Sequence, residues 1–331
     1  MPDRPLPFTP SDIEDPIYRT KFFDLPDIIT QWTAPYIEVE GAQILDFGCG
    51  EGTTALGLAL RGHARRVVGV DIGPDPDLCA PYARQHLDLD TLPINLELKR
   101  VEAGRLHNDV DQFDLIYSWS VIEHVREDLL DPTLTLLHDR LRDTGLLFIQ
   151  IAPLYYSSEG SHLFHKIPER WGHLRHQHSE YIAKLRNACD RDAEYRALVE
   201  TYETLNRITV PQLLAAIRGA GFTILREHYG EEDFEVPSDV AAVYDPAVVR
   251  MAQVVILARR GTASECAEMP LAEAQIAEAD ITADATALEV EVQRLRADLD
   301  QSEARIRAME NSTTWRLAAP FRRLLGSRRR L

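Results

Sequence analysis

Short runs of β-branched and apolar residues alternate with amphipathic stretches over most of the chain. Ile44–Phe47, Arg66–Asp71 (RVVGVD), Leu96–Arg100, Phe113–Ser118 (FDLIYS) and Gly145–Ile151 (GLLFIQI) have the pattern of short strands. Between them, recurrence near 3.6 residues predicts helices over Thr53–Arg61, Asp77–Gln85 and Leu129–Leu141, with an earlier one around Asp27–Tyr36. Strands that are apolar throughout, rather than at every second residue, are buried on both faces. That pattern predicts a parallel sheet with helices on both sides. The alternation stops after Ile151. It resumes with a helix at Val210–Gly219 and strands at Thr223–Tyr229 and Gln253–Arg259. No clear helix separates the last two strands, so an antiparallel terminal pair is expected. The first 25 residues are rich in Pro and Asp and are expected to form an irregular arm over the core.

The turn between the first strand and the first helix is Asp46-Phe47-Gly48-Cys49-Gly50-Glu51-Gly52. Alternate glycines let the backbone bend tightly and let a ligand lie against main-chain atoms at a helix N-terminus, as a nucleotide-like ligand requires. Asp71 ends the second strand, where a carboxylate can accept hydrogen bonds from both hydroxyls of a ribose; capping the next turn is its simpler use. Thr53 stands where the dinucleotide fingerprint needs its third glycine, which argues against a nicotinamide cofactor.

The D-x-G-x-G-x-G loop, Val101-Glu102-Ala103 after the third strand and FDLIYSWSVIEHV (Phe113–Val125) together resemble the motifs of class I S-adenosylmethionine-dependent methyltransferases. The resemblance covers about residues 40–155 and, more loosely, 208–260. It implies a doubly wound, seven-stranded, mostly parallel α/β sheet with an inserted lid. It also implies S-adenosyl-L-methionine as cofactor, bound by Asp46, Gly48, Cys49, Gly50, Asp71, Ile72, Glu102, Ala103 and Ser118. Glu102, facing the adenine, departs from the family's usual Asp. Ser118-Trp119-Ser120-Val121 replaces the Asn/Asp-Pro-Pro-aromatic signature of many amino-group methyltransferases, which argues against DNA bases and protein amides as acceptors.

Methyl transfer from a sulfonium asks the enzyme to align the acceptor and exclude water. A hydroxyl acceptor must also lose a proton, and His124, just past the fourth strand, is the candidate base; a histidine merely bonded to backbone at a helix start is the alternative. Glu123 beside it is expected to be exposed and too weakly basic. The segment Pro153–Asn206 falls where this fold carries its substrate cover. Tyr155, Tyr156, Trp171, His162 and His173 are its candidate acceptor contacts; alternatively its aromatics form a small satellite core. His162, His165, His173, His176 and His178 are dense, yet no acidic or Cys ligand accompanies them at a recognised interval, so no metal is assigned.

The net charge of −17 repels phosphate backbones, so a nucleic-acid partner is not expected. Cys49, Cys79, Cys189 and Cys266 form no CxxC pair and suit reduced thiols in a cytoplasm. Neither a signal peptide nor a membrane-spanning run is visible. From Ile281 to Met309 apolar residues recur at alternating steps of four and three, an a/d seam that predicts a coiled coil with a partner or a second copy. Beyond Glu310 there is no acid, and Arg316, Arg322, Arg323, Arg328, Arg329 and Arg330 interleave with Trp315, Leu317 and Phe321. Such a tail, 312–331, can lie against an anionic bilayer, placing the protein peripherally at the inner face of the membrane. The coiled coil followed by STTWRLAAPFR resembles the tails of bacterial enzymes of cell-surface polysaccharide synthesis.

The expected organisation is an N-terminal arm and helix (1–39), a cofactor-binding domain (40–262) with a cover insertion (152–207), a coiled-coil helix (263–310) and a basic amphipathic tail (311–331). The main functional expectation is O-methylation of a sugar hydroxyl on a cell-surface glycan or its lipid-linked precursor. A small-molecule methyltransferase of natural-product or quinone type, and a non-catalytic coiled-coil scaffold with a degenerate pocket, are the alternatives.

Overall fold

The computed structural model describes residues 9–73, 75–106 and 112–261. The coiled-coil seam 281–309 and the basic tail 312–331 lie outside the described residues. A helical turn at Pro10–Asp12 leads to α1 (Pro16–Arg19), a π turn at Thr20–Asp24 and α2 (Leu25–Thr33). Then follow β1 (Gln43–Phe47), α3 (Thr53–Leu60), β2 (Arg66–Asp71), α4 (Cys79–Leu87), β3 (Leu96–Arg100), β4 (Phe113–Trp119), α5 (Glu127–Arg140) and β5 (Leu141–Ile151). The cover contains α6 (Gly172–Arg175), α7 (His178–Ala188) and α8 (Asp192–Thr204). The chain returns through α9 (Val210–Gly219), β6 (Phe222–Glu231), α10 (Ser238–Ala241), α11 (Pro246–Arg250) and β7 (Met251–Arg260).

The seven strands form one sheet in the order β3-β2-β1-β4-β5-β7-β6. β1 pairs in parallel with β2 (Leu45 opposite Val68) and with β4 (Leu45 opposite Ile116). β7 is antiparallel to both β5 and β6, as the terminal pattern predicts. The strand order reverses between β1 and β4, so the loops after these two strands diverge and leave a crevice at their carboxyl ends.

One face of the sheet packs on the N-terminal arm, α3 and α4, the other on α5 and α9. Leu130, Leu134 and Leu137 lie at helical spacing on α5, as do Leu213 and Ile217 on α9, and all five are buried. The arm is not irregular as its composition suggests. Its helical turns bury Tyr18, Phe22, Phe23 and Ile29 against the sheet layer. Asp15 starts α1 by accepting the Ile17 and Tyr18 N–H groups, and Arg61 ties the arm to α3 through the Phe23 carbonyl at 2.8 Å and Asp27 at 2.7 Å. The cover, too, is helical. Its helices carry weak periodicity because they close on one another around a separate cluster containing Tyr155, Leu163, Ile167, Tyr181, Leu185 and Tyr202. Two short helices, α10 and α11, also interrupt the connection between β6 and β7, where the sequence pattern shows none.

α3 lies between the sheet and the arm, and seven of its eight residues, Thr53–Ala59, are buried. The small residues in TTALGLAL allow that close approach. At Gly57 an added Cβ would stand 2.5 Å from the Phe22 carbonyl oxygen and 2.7 Å from Pro26 Cγ. A helix-interior Gly→Ala change ordinarily stabilises by about 0.5–1 kcal/mol. Here the arm must move, so Gly57→Ala is expected to destabilise by about 1–3 kcal/mol in denaturant melts. Unchanged or increased stability would show that the arm is not docked on α3.

Candidate active site

The β1–α3 turn is shaped from both sides. Gly48 has φ +81°, and a Cβ there would collide with the Val121 side chain from the loop after β4. Only glycine combines that conformation with that contact. Gly48 and Cys49 donate their N–H groups to the Val70 carbonyl, which fastens the turn to the end of β2. Asp71 completes the tie: one carboxylate oxygen accepts the Gly50 N–H and the other the Gly73 N–H, both at 2.8 Å. Capping the next turn and facing a ligand are therefore compatible, because each oxygen keeps a second lone pair.

Two adjoining clefts open at this edge. The outer one, about 210 Å³, is lined by Gly48, Asp71, Ile72, Glu102, Ala103, Val121 and His124, with Leu129 and Thr133 from α5. Ile72 is 61% exposed, an apolar side chain at the rim. Glu102 is exposed and pairs with Arg105 at 3.3 Å. The inner cleft, about 100 Å³, is lined by Asp46, Cys49, Gly50, Thr53, Tyr117 and Trp119, and by Lys21 and Leu25 of the arm. Lys21 reaches Glu51 at 2.6 Å across its mouth. Burial, reinforced by the nearby Asp71 and Glu51 carboxylates, pushes Asp46 up to about 7. Burial also drives the Cys49 thiol far above its ordinary range, so it is not a nucleophile.

A helical turn at Ile122–His124 follows β4. It is held from below by Ser120, in left-handed conformation with φ +52°, whose hydroxyl donates to Gln150 Oε1 at 3.0 Å. It is held from the cover by Asn206, whose side-chain amide donates to the Ile122 and Val125 carbonyls at 2.7 and 2.8 Å, while its backbone N–H donates to the Glu123 carbonyl. Glu123 is 2% exposed rather than solvated, and among the described residues neither of its carboxylate oxygens has a hydrogen-bond partner. Burial pushes its carboxyl up to about 8. His124 stands beside it, with burial and His162 lowering it to about 4, so its ring is neutral. The His162 ring meets the His124 ring edge-on, centroids 5.0 Å apart. Glu123 is the residue that sequence reasoning misplaced. Ile122 and Val125 around it are apolar, and that was the available signal.

The expected cofactor residues Asp46, Gly48, Cys49, Gly50, Asp71, Ile72, Glu102 and Ala103 all line one cleft or the other. Ser118 does not. It is fully buried in β4, and its alternation with Tyr117 turns it away from both clefts. Three expected acceptor contacts are buried in side-chain clusters instead. Trp171 is 1% exposed and donates its indole N–H to the Val249 carbonyl, Tyr155 is buried, and the buried His173 ring bonds the Tyr155 carbonyl at 2.6 Å. The satellite-core alternative describes them better. Tyr156 remains half-buried, packed on Tyr155 and Tyr244. His162 belongs to the His124 cluster. Leu129, Thr133, Lys21 and Leu25 are cleft residues that no motif singled out.

The family described as "Methyltransferase domain" matches residues 24–227. The ubiquinone biosynthesis O-methyltransferase of Pseudomonas putida is 30% identical over 103 residues, 31% of this chain and 41% of that protein. The protein of the same description from Pseudomonas fluorescens is 29% identical over the same shares. The chain therefore spans about two fifths of the length of these curated relatives. Among solved structures, an S-adenosylmethionine-dependent methyltransferase from Mesorhizobium loti aligns with a TM-score of 0.43 at 18% identity, over 71% of this chain and 100% of that one. Magnesium protoporphyrin IX methyltransferase from Synechocystis aligns with a TM-score of 0.44 at 14% identity, over 78% and 90%.

The buried Asp46 carries a signature in stability. An unfolded chain loses this proton near the ordinary 3.8, while the folded chain keeps it up to about 7. Between those values the folded state binds more protons than the unfolded state, so stability falls as pH rises across that window and levels off above it. Asp46→Asn is expected to lessen this slope, leaving the part contributed by the raised Glu123, and to make the protein more stable than wild type at pH 8, read by denaturant melts across pH. A slope undiminished in the variant would place its origin elsewhere.

Proposed function

The chain belongs to the methyltransferase-domain family, and from that premise we propose that it is an S-adenosylmethionine-dependent methyltransferase whose acceptor is a hydroxyl oxygen. The cleft walls fit the cofactor. Asp71 offers paired acceptors to a diol, Ile72 offers an apolar face to a base, and the inner cleft places Asp46 where a cationic amino-acid group would relieve its burial. When bound, S-adenosyl-L-methionine supplies an electrophilic methyl group on a good, neutral leaving group. What remains for this chain is to orient the acceptor, exclude water and raise the acidity of the acceptor's proton. Glu123, His124 and His162 beside the outer cleft carry the oxygen reading, because a sulfide or a tertiary amine would need no such cluster. The description of the Pseudomonas relatives as O-methyltransferases points the same way.

That description favours a small-molecule acceptor of quinone type. A sugar hydroxyl of a lipid-linked glycan is the second reading, favoured by the cationic, aromatic tail between Trp315 and Arg330. Removing residues 265–331 separates the two. For a soluble acceptor, turnover is expected to stay within about twofold; for a lipid-linked acceptor, binding to anionic vesicles and turnover on vesicle-borne acceptor should fall together.

The cofactor itself is tested by calorimetric titration of S-adenosylhomocysteine, with NAD as a control ligand. Saturable binding is expected, weakened at least about tenfold in Asp71→Ala, the loss of about 1.4 kcal/mol. Binding of NAD instead, or no binding by folded protein, would remove the catalytic reading and restore the scaffold alternative.

A further inference from the structure

We propose that Glu123, His124 and His162 form a binding site for a borderline divalent cation such as Zn²⁺, Co²⁺ or Mn²⁺. Their ligand atoms already lie within 4.8 Å of one another. Two imidazoles and one carboxylate are the donor set that first-row divalent ions select over Ca²⁺ or Mg²⁺. The site is assembled from two distant stretches of chain, the turn after β4 and the start of the cover. Sequence spacing could not reveal it, because the acidic ligand missing from the histidine-rich segment comes from residue 123.

Two independent features mark this cluster as a site rather than a chance neighbourhood. The first is Glu123. A carboxyl group that is 2% exposed with neither oxygen bonded is costly to bury, and a cation between it and two imidazoles removes that cost. No lysine or arginine forms an ion pair with it among the described residues. The second is His162. One of its ring nitrogens, Nε2, lies 3.1 Å from the Pro153 carbonyl oxygen. A carbonyl only accepts, so Nε2 carries the hydrogen and the neutral ring keeps its lone pair on Nδ1. A ring fixed by donation to a backbone carbonyl is the usual support of a metal-bound histidine. Backbone restraints complete the frame: Asn206 and Ser120 hold the Glu123–His124 turn, so the ligands lose little freedom on binding. Bonds of roughly 2.0–2.2 Å require ligand atoms about 3–3.5 Å apart, so side-chain rotations drawing the three together are expected on binding.

The role of the cation rests on the hydroxyl-acceptor reading above. His124 lines the outer cleft, so a cation bound to it faces the space where an acceptor oxygen arrives. Oxygen–hydrogen bonds on such a cation are strongly acidified, and the proton passes to solvent water. His124 then acts as a ligand, and no separate side-chain base is needed.

The test is a titration of Co²⁺, and separately Zn²⁺, into full-length protein freed of metal by chelation, without cofactor or acceptor. One equivalent is expected to bind, with visible Co²⁺ d–d bands of a nitrogen- and oxygen-ligated ion. Affinity should fall more than about 100-fold in Glu123→Gln and in His162→Ala, and stay unchanged in His165→Ala, which removes an exposed histidine outside the cluster. Thermal melts and S-adenosylhomocysteine binding show that each variant is folded. Co²⁺ should raise the melting temperature of wild type and not of Glu123→Gln. Absence of stoichiometric binding to wild type, or binding that survives both substitutions, overturns the site. Because these readouts involve no methyl transfer, a failure of the acceptor reading would leave them standing, and a failure here would leave cofactor binding intact.

Discussion

The tie between the end of β2 and the turn after β1 is the constraint from which the site follows. Asp71 holds the Gly50 N–H, and the Val70 carbonyl holds the N–H groups of Gly48 and Cys49. With the turn pinned there, Gly48 packs closely against Val121, so the loop after β4 comes to rest on the loop after β1. The crevice opened by the reversal of strand order is thereby narrowed to two clefts that share Gly48. Replacing glycine at that point would force the two loops apart, and with them the walls that a cofactor must touch on both sides.

The parallel sheet was legible because its strands are apolar at consecutive positions, a consequence of burial on two faces. RVVGVD and GLLFIQI admit few other readings. The arm and the cover were harder because their order comes from tertiary contacts rather than local periodicity. Tyr18, Phe22 and Phe23 sit among prolines and acids, and only docking on α3 makes them core residues. In the cover, Tyr155, Trp171 and His173 had the chemistry of acceptor contacts, and composition gave no sign that Tyr155 and His173 would pack on each other or Trp171 on Val240 and Val249. The cleft-lining residues of the glycine turn were mostly legible, since a motif fixes their spacing along one turn. Ser118 failed because strand alternation decides which way a side chain points, and the motif did not encode it.

Glu123 marks a different limit. A glutamate next to a histidine at a helical turn is ordinarily solvated. Its burial depends on Asn206, more than 80 positions later, which satisfies the Ile122 and Val125 carbonyls and so lets the turn leave water. Charge patterning along the chain contains no trace of that contact. The same distance explains why no metal spacing was visible, since a site split between residue 123 and residue 162 has no recognisable interval.

The position of Asn206 also joins the cover to the chemistry. It follows α8 directly and bonds three backbone groups of the turn that carries Glu123 and His124. The Ile122 carbonyl also accepts the Val125 N–H, so loss of Asn206 falls mainly on the other groups, at about 1–3 kcal/mol for each left buried and unpaired. That is a large share of the stability of any domain. The turn therefore takes its working geometry only when the cover is folded in place, and His162, at the other end of the cover, arrives by the same closure. Variation elsewhere in the cover must preserve Asn206 and His162 for the cluster beside the cleft to exist.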